Sequence, residues 1–374
     1  MHVAIVSHCC LPHVGGVEVV VEALASRLVK RHTVTQLSSD WGGKSGAERD
    51  GARTIWRLPS LHASEQFGVP YPVPLGPHVR EAMAEVARAG VVHVHGALYA
   101  QTVLARRAAR RGGAALVLTE HVGPVAYPSA ALNAVQRWAW SGIGSQTAAQ
   151  ADAVTTLGSR VSLFMQRYLT PGAVIEVIPN GVDLERFAPA TDAQRSAARA
   201  ALGLPADGVL VLFVGRAAAK KNLDALLTIP RIGWTLVTCG AARTSRPDGV
   251  IDLGVRSPLE MVRAYHACDV LAHPAEGEGF PLAVQEAMAS GLPAVVRWEA
   301  GYEATLARDV AHAADEMPAF AEVLGALVSD AAARRASGAR GRAWAEARWG
   351  WDATVAAYER VYDAAITRRR ERAH

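Results

Sequence analysis

Val209-Leu210-Val211-Leu212-Phe213-Val214-Gly215-Arg216 decides how this chain folds. Six apolar residues stand in a row, dominated by Val and Leu, with no polar residue between them. A strand that is apolar at every position is buried on both faces, as in a parallel sheet covered by helices. The run stops on a glycine and then a cation. In a doubly wound sheet, the loops at the carboxyl ends of the strands are where ligands bind.

The same grammar repeats outward from this stretch. Apolar runs at 3–7, 34–37, 91–95, 115–119, 153–157 and 174–178 precede it, and runs at 234–238, 250–253, 269–273 and 293–296 follow it. Helical patterns lie between them. In residues 16–31, Val17, Val20, Val21, Leu24 and Leu28 fall on one stripe, with Glu22, Lys30 and Arg31 off it. Two successive β-α sets predict an α/β protein of two Rossmann-like, doubly wound domains. Turn residues Pro179-Asn180-Gly181-Val182-Asp183 mark the joint. The expected domains are 1–182, joined by a C-terminal helix at about 355–374, and 183–354. A polar, Ala-rich segment at 188–207 is expected to open the second domain with a helix. The Pro-rich stretch 67–77 is expected to form no regular element.

Composition narrows the function classes. The chain has 374 residues, half of them hydrophobic and a fifth charged, which fits two globular domains. No apolar run approaches the roughly 18 residues that span a bilayer. The N-terminus lacks the basic start and long apolar core of an export signal, so a cytoplasmic protein is expected. Cys9, Cys10, Cys239 and Cys268 have neither disulfide nor zinc spacing and read as buried thiols. The net charge is +4, with arginines concentrated at Arg106, Arg107, Arg110 and Arg111 and at Arg368-Arg369-Arg370. The plain reading of the arginine cluster is a solvated helix face. The functional one is contact with an anionic acceptor or peripheral contact with the inner face of the cell membrane. No nucleic-acid-binding motif is present.

The chemistry concentrates in Glu278-Gly279-Phe280-Pro281-Leu282-Ala283-Val284-Gln285-Glu286-Ala287-Met288-Ala289. Two carboxylates stand eight residues apart, one in a loop and one on the helix that follows. Pro281 suits the first turn of that helix, which leaves the amides of Leu282 and Ala283 for an anion. Such a layout fits a ligand with phosphate at its centre and hydroxyl-bearing rings at both ends; the alternative is an acidic loop before a surface helix. Arg216 and Lys221 suit a diphosphate leaving group, although charge alone does not separate Lys221 from Lys220. Gly15 and Gly16 permit close backbone approach before a helix, but no dinucleotide fingerprint surrounds them. His121 stands at a strand end beside Gly and Pro. Val255, beyond the strand at 250–253, could lay its backbone against a nucleobase. No D-x-D pair occurs, so no metal is expected.

Taken in order, these segments resemble glycosyltransferase family 4 (GT4), the retaining transferases of GT-B fold. The matching pieces are Gly15-Gly16-Val17-Glu18, Val92-His93-Val94-His95-Gly96, Thr119-Glu120-His121 and Ile178-Pro179-Asn180-Gly181-Val182-Asp183. To these are added Gly215-Arg216 with Lys221, the Glu278 to Ala289 segment, Gly291-Leu292-Pro293 and Glu303. The resemblance covers nearly the whole chain and implies two sheets facing across a cleft, with the donor mainly on the second domain and the acceptor on the first.

It also implies roles. Glu278 would bind donor-sugar hydroxyls, aided by amides near Gly279, Phe280, Pro281 and Leu282, and Glu286 would bind the ribose. Arg216 and Lys221 would hold the diphosphate, the family spacing favouring Lys221 over Lys220. Gly16 would touch the distal phosphate on closure, and His121 would sit at the reacting centre. Glu276 is a look-alike of Glu278, but only Glu278 has the eight-residue offset to Glu286. Where the family often has Gly-Gly before its last glutamate, this chain has Ala300-Gly301-Tyr302-Glu303.

The expected function is retaining, metal-independent transfer of a sugar from a nucleotide-diphosphate sugar to a lipid-linked, saccharide or small-molecule acceptor. It would serve glycolipid, cell-surface polysaccharide or glycosylated metabolite synthesis. Three other readings stand beside it: a non-catalytic donor-binding partner of a heteromeric transferase, a nicotinamide-dependent oxidoreductase, and a GT-B phosphorylase or epimerase.

Overall fold

Each apolar run read from the sequence forms a strand. The structure, a computed structural model, describes residues 1–372 except 12, 14, 42–44, 63–70, 125, 126, 128, 170–172, 217 and 241–248. In chain order the strands are β1 (His2–Val6), β2 (Thr33–Ser39), β3 (Gly46–Asp50), β4 (Arg53–Leu58), β5 (Ser60–Leu61), β6 (Val73–Pro74), β7 (Val91–His95) and β8 (Ala115–Glu120). There follow β9 (Ala153–Thr156), β10 (Ile175–Val177), β11 (Val209–Val214), β12 (Trp234–Cys239), β13 (Val250–Asp252), β14 (Val270–His273), β15 (Ala294–Arg297) and β16 (His312–Ala314). The chain divides into two compact units, 1–179 with 354–374, and 180–353.

The first unit holds an eight-stranded sheet in the order β10-β9-β8-β7-β1-β2-β4-β3. Only β3 runs antiparallel, in a hairpin with β4. The order reverses beside β1, which pairs with β2 on one side and β7 on the other. Val92, Val94, Leu116 and Leu118 pack with Ala105, Ala108 and Ala109 of helix Ala100–Gly112. Tyr358 and Tyr362 of helix Trp351–Glu371 cover His93, with ring centroids 5.1 and 5.6 Å away.

The second unit holds six parallel strands ordered β13-β12-β11-β14-β15-β16. Here the reversal lies between β11 and β14, and loops leaving the carboxyl ends of these two strands diverge around a crevice. Val211, Phe213, Leu236, Val270 and Val295 form its core against Phe320, Leu324 and Leu327 of helix Met317–Ser329. Burying each such side chain contributes about 1.5–3 kcal/mol.

Several expectations need correction. Strands β3, β4 and β16 went unread, and Val73–Pro74 pairs with Ser60–Leu61 inside the Pro-rich stretch, whose residues 67–70 lie outside the described ones. Ala300–Tyr302, before Glu303, forms a short 3₁₀ turn that buries Tyr302. Pro281 is the N-cap of helix Leu282–Ala289, one position before the first turn, with extended backbone at φ −77° and ψ 123°. All four cysteines are free and buried. Among the described residues, no helix is long and apolar enough to cross a membrane.

Candidate active site

The second sheet's reversal point gathers the residues on which the sequence reading turned. Strand β11 ends at Val214, and the chain turns through Gly215 and Arg216 into the 3₁₀ turn Ala219–Lys221. A Cβ on Gly215 would lie 3.1 Å from Lys221 Cδ, so a glycine here gives the lysine stem its path. Asn222 then adopts a left-handed conformation (φ 55°), which asparagine tolerates better than most residues. Its side-chain amide donates to the Pro274 carbonyl at 3.4 Å, tying this loop to the one after β14.

That second loop carries two glutamates that turn opposite ways. Glu276 turns outward to Arg297 of β15. Gly277, at φ 72°, donates its amide to the Glu299 carboxylate. Glu278 turns inward: its Oε1 lies 2.5 Å from Lys221 Nζ and its Oε2 3.3 Å from His273 Nε2. The amide of Glu276 bonds to the Lys220 carbonyl at 2.8 Å. The two adjacent lysines thus part company: Lys220 joins the loops through its backbone, and Lys221 meets the carboxylate.

Charge follows this geometry. Burial alone would raise the Glu278 pKa, but the His273 hydrogen bond and the Lys221 ammonium outweigh it and hold the carboxyl well below its ordinary range. Glu278 is an anion at neutral pH. Burial lowers the Lys220 pKa, and Lys221 and Arg216 lower it further, against Glu278 and Glu299. Arg216 is exposed and has no side-chain partner among the described residues.

Helix Leu282–Ala289 starts directly after this loop without a side-chain cap. Its first hydrogen-bonded amides are Val284 and Gln285, both to the Pro281 carbonyl, so the Leu282 and Ala283 amides have no partner among the described residues. Free amides at a helix N-terminus attract anions. Gly279 and Pro281 are buried, and the Phe280 ring is a core anchor, 5.4 Å from Trp349 and 5.8 Å from Tyr302. From the helix, Glu286 accepts from the Tyr265 hydroxyl at 2.8 Å, and burial pushes its pKa up to about 7. Beyond β13, Val255 is 70% exposed.

Gly15, Gly16 and His121 belong to the first unit, at the reversal point of its own sheet. Gly15 caps helix Gly16–Leu28, and a Cβ there would lie 2.3 Å from Glu18 Oε2. Its missing side chain lets the Glu18 carboxylate fold back. Glu18 Oε1 lies 2.9 Å from His13 Nδ1 and 3.5 Å from His8 Nε2, and His8 stacks on Tyr99 at 4.1 Å. His121 Nε2 is 2.8 Å from His95 Nδ1. Burial, helped by His8 and opposed by Glu18, lowers the His121 pKa to about 4, so the ring is neutral at pH 7. Next to it, burial raises the Glu120 carboxyl to about 7 against hydrogen bonds from the amides of Ala97, Val122 and His121.

Sequence reasoning did not place His273 or Arg297 at the Glu278 loop, nor His8 near His121. His273 carried a usable signal, because it ends a strand just before the loop with Glu278. Among the described residues, one group could offer three atoms to a metal ion: His8, Cys9 and Glu18, with ligand atoms within 4.8 Å of one another. Its carboxylate is already shared by two imidazoles.

Comparison with known proteins agrees with this architecture. Residues 14–186 match the family described as Glycosyltransferase Family 4, and residues 194–344 match Glycosyl transferases group 1. A D-inositol 3-phosphate glycosyltransferase from Xylanimonas cellulosilytica is 37% identical over 221 residues, 52% of each chain, so the chain spans about half the length of that relative. A GDP-mannose-dependent alpha-(1-6)-phosphatidylinositol monomannoside mannosyltransferase from Mycolicibacterium smegmatis is 27% identical over 91% of this chain and 92% of its own. The structure of a sucrose-phosphate synthase from Thermosynechococcus elongatus superimposes with a TM-score of 0.76 at 20% identity, covering 98% of this chain and 99% of that one. The chain belongs to the family 4 glycosyltransferases and has their GT-B fold of two Rossmann-like domains.

Proposed function

We propose that the protein transfers a sugar from a nucleotide-diphosphate sugar to an acceptor hydroxyl with retention of anomeric configuration and without a metal. The observation that carries this reading is the second unit's cluster: Lys221 against Glu278 at 2.5 Å, beside the free amides of Leu282 and Ala283. A diphosphate taking Lys221 and Arg216 would share the ammonium with Glu278. That carboxylate, anionic at neutral pH, would then accept from donor-sugar hydroxyls. As the sugar–phosphate bond breaks, negative charge grows on the diphosphate, and the two cations with the helix amides would stabilise it.

Glu286 would accept from the ribose hydroxyls, and the backbone at Val255 would lie along the base. In the first unit, Gly15 and Gly16 would offer backbone to the distal phosphate, and His121 would orient the acceptor hydroxyl. An imidazole with a pKa near 4 is a weak base. The departing phosphate oxygen is a fitting proton acceptor in its place, which is the chemistry of retention. The inositol-phosphate and phosphatidylinositol acceptors named for two relatives point to a phosphate-bearing polyol or lipid-linked acceptor. Helix Ala130–Ala139, which buries none of its side chains and exposes Val135 and Trp138, supports peripheral membrane contact.

The test is product analysis by NMR with the donor identified from a nucleotide-sugar panel. Retention at the anomeric carbon is expected, and an inverted centre would overturn the mechanism. Purified protein that binds the donor but turns over with no acceptor would instead favour a non-catalytic partner.

A further inference from the structure

The two arginine clusters, for which the sequence offered both a solvated helix face and contact with an anionic acceptor or membrane surface, meet in space. Arg106 and Arg110, from helix Ala100–Gly112, line one cavity of about 270 Å³ in the first unit together with Arg369 of helix Trp351–Glu371 and Arg372 just beyond its end. The cavity lies against Ala114, Leu116 and Asp152, at the starts of β8 and β9. His121 follows the other end of β8, so the cavity occupies the opposite edge of the sheet from the histidine cluster.

The charges there do not balance. Asp152 is the one carboxylate in the lining. It is already engaged by the Leu116 amide at 2.9 Å and by Arg372 at 3.2 Å. Arg368, beside the cavity, donates to the Asp152 carbonyl at 3.1 Å. Arg106 is only 7% exposed, and its guanidinium reaches just two neutral oxygens, Thr147 Oγ1 at 3.4 Å and Gln146 Oε1 at 3.3 Å. Its buried Nε has no partner at all among the described residues. Arg110 and Arg369 line the cavity with no side-chain partner among the described residues. A buried guanidinium without an anion is costly, and the fork of N–H groups matches phosphate oxygens.

We propose that this cavity is a second anion site, which takes the phosphate of a phosphorylated small molecule or of an anionic lipid headgroup. Both sources present the same group to the arginines, and the cavity has room for a small polar substituent beside it.

The test uses the full chain carrying Lys221→Ala, which weakens phosphate binding at the second unit's cluster, with and without Arg110→Gln and Arg369→Gln. Neither of these arginines holds another side chain, so an unchanged melting curve is expected for the variant. Two probes are titrated, inorganic phosphate by calorimetry and phosphatidylglycerol vesicles by flotation against phosphatidylcholine vesicles. Saturable binding of one phosphate per chain, weakened at least tenfold by the paired substitutions, assigns the site to a soluble ligand. Anionic-vesicle binding lost in the same variant, with free phosphate inert, assigns it to a headgroup. Failure of both probes to bind, or binding that the paired substitutions leave unchanged, overturns the proposal.

Discussion

Replacing Lys221 with Met keeps the length of the stem and removes its charge, which leaves Glu278 facing His273 alone. At 2.5 Å the pair's Coulomb attraction is about 6–7 kcal/mol for an effective dielectric near 20. Desolvation of both groups offsets much of that. What the substitution costs is set by the carboxylate it strands, because Glu278 is buried. Breaking a buried pair costs about 3–5 kcal/mol, and the His273 contact that remains brings our expectation to about 2–4 kcal/mol at pH 7. For a unit of this size, each kcal/mol is worth roughly 2–4 °C in Tm.

The pH dependence has a definite sign. In the native protein the Glu278 pKa is depressed, so its contribution is present above the unfolded value of 4.5 and is lost only as pH falls through the folded value, below the usual assay range. In Lys221→Met, burial dominates and the carboxyl pKa rises. The variant's deficit should therefore be largest at pH 7 and should shrink toward pH 4. Denaturant unfolding of Lys221→Met, Glu278→Gln and the double variant closes the cycle. Removing both partners should be milder than the sum of the single losses, with a coupling of at least about 1 kcal/mol. A coupling below about 0.5 kcal/mol, or a deficit that does not change with pH, would refute the reasoning.

Three further outcomes follow from the same geometry. Glu286 has a folded pKa near 7, above its unfolded 4.5, so the native state binds the extra proton and stability falls as pH rises through that window; Glu286→Gln should flatten this fall by about 1–3 kcal/mol in melting curves from pH 5 to 8, while weakening nucleotide binding about tenfold. Glu276 points away to Arg297, so Glu276→Gln should keep turnover within about threefold of the parent while Glu278→Gln loses about 100-fold or more, an effect of about 2.7 kcal/mol on the barrier. Gly338 of helix Ala331–Arg348 offers a Cβ only 2.0 Å from the Gly291 carbonyl; Gly338→Ala should cost about 1–3 kcal/mol by overpacking, read as a lower midpoint in denaturant.

The sheets were legible where burial wrote a continuous apolar run. Val209–Val214 could be little else, and the two doubly wound domains followed from the alternation of strand and helix. Strand β3, Gly-Ala-Glu-Arg-Asp, sits at the sheet edge with most of its side chains in water, so nothing in its composition announces a strand. Its partner β4 satisfies Arg53 with Glu22 of a distant helix, a pairing that no local pattern contains. The same limit applies to the site. Glu278 and Glu286 could be picked by their eight-residue offset, because a loop-and-helix geometry is local, while Lys221 is preferred to Lys220 only through the family resemblance. Arg297, which holds Glu276, comes from the neighbouring strand β15 and meets the loop only through the parallel register of β14 and β15, whereas His273 ends the strand that leads into the loop. Arg106 shows another limit: nothing in the sequence of a helix face with four arginines tells that one of them is buried against Gln146 and Thr147 of helix Ser145–Gln150.

The donor seat at Lys221 and Glu278 is the centre of the account, and ligand-induced stabilisation tests it most directly. A panel of nucleotide-diphosphate sugars, screened by thermal shift against the parent and against Arg216→Ala/Lys221→Ala/Glu278→Ala, requires no knowledge of the acceptor. At least one donor should raise the parent's Tm by several degrees and leave the triple variant unmoved. A panel that shifts neither protein, or both equally, would contradict the account.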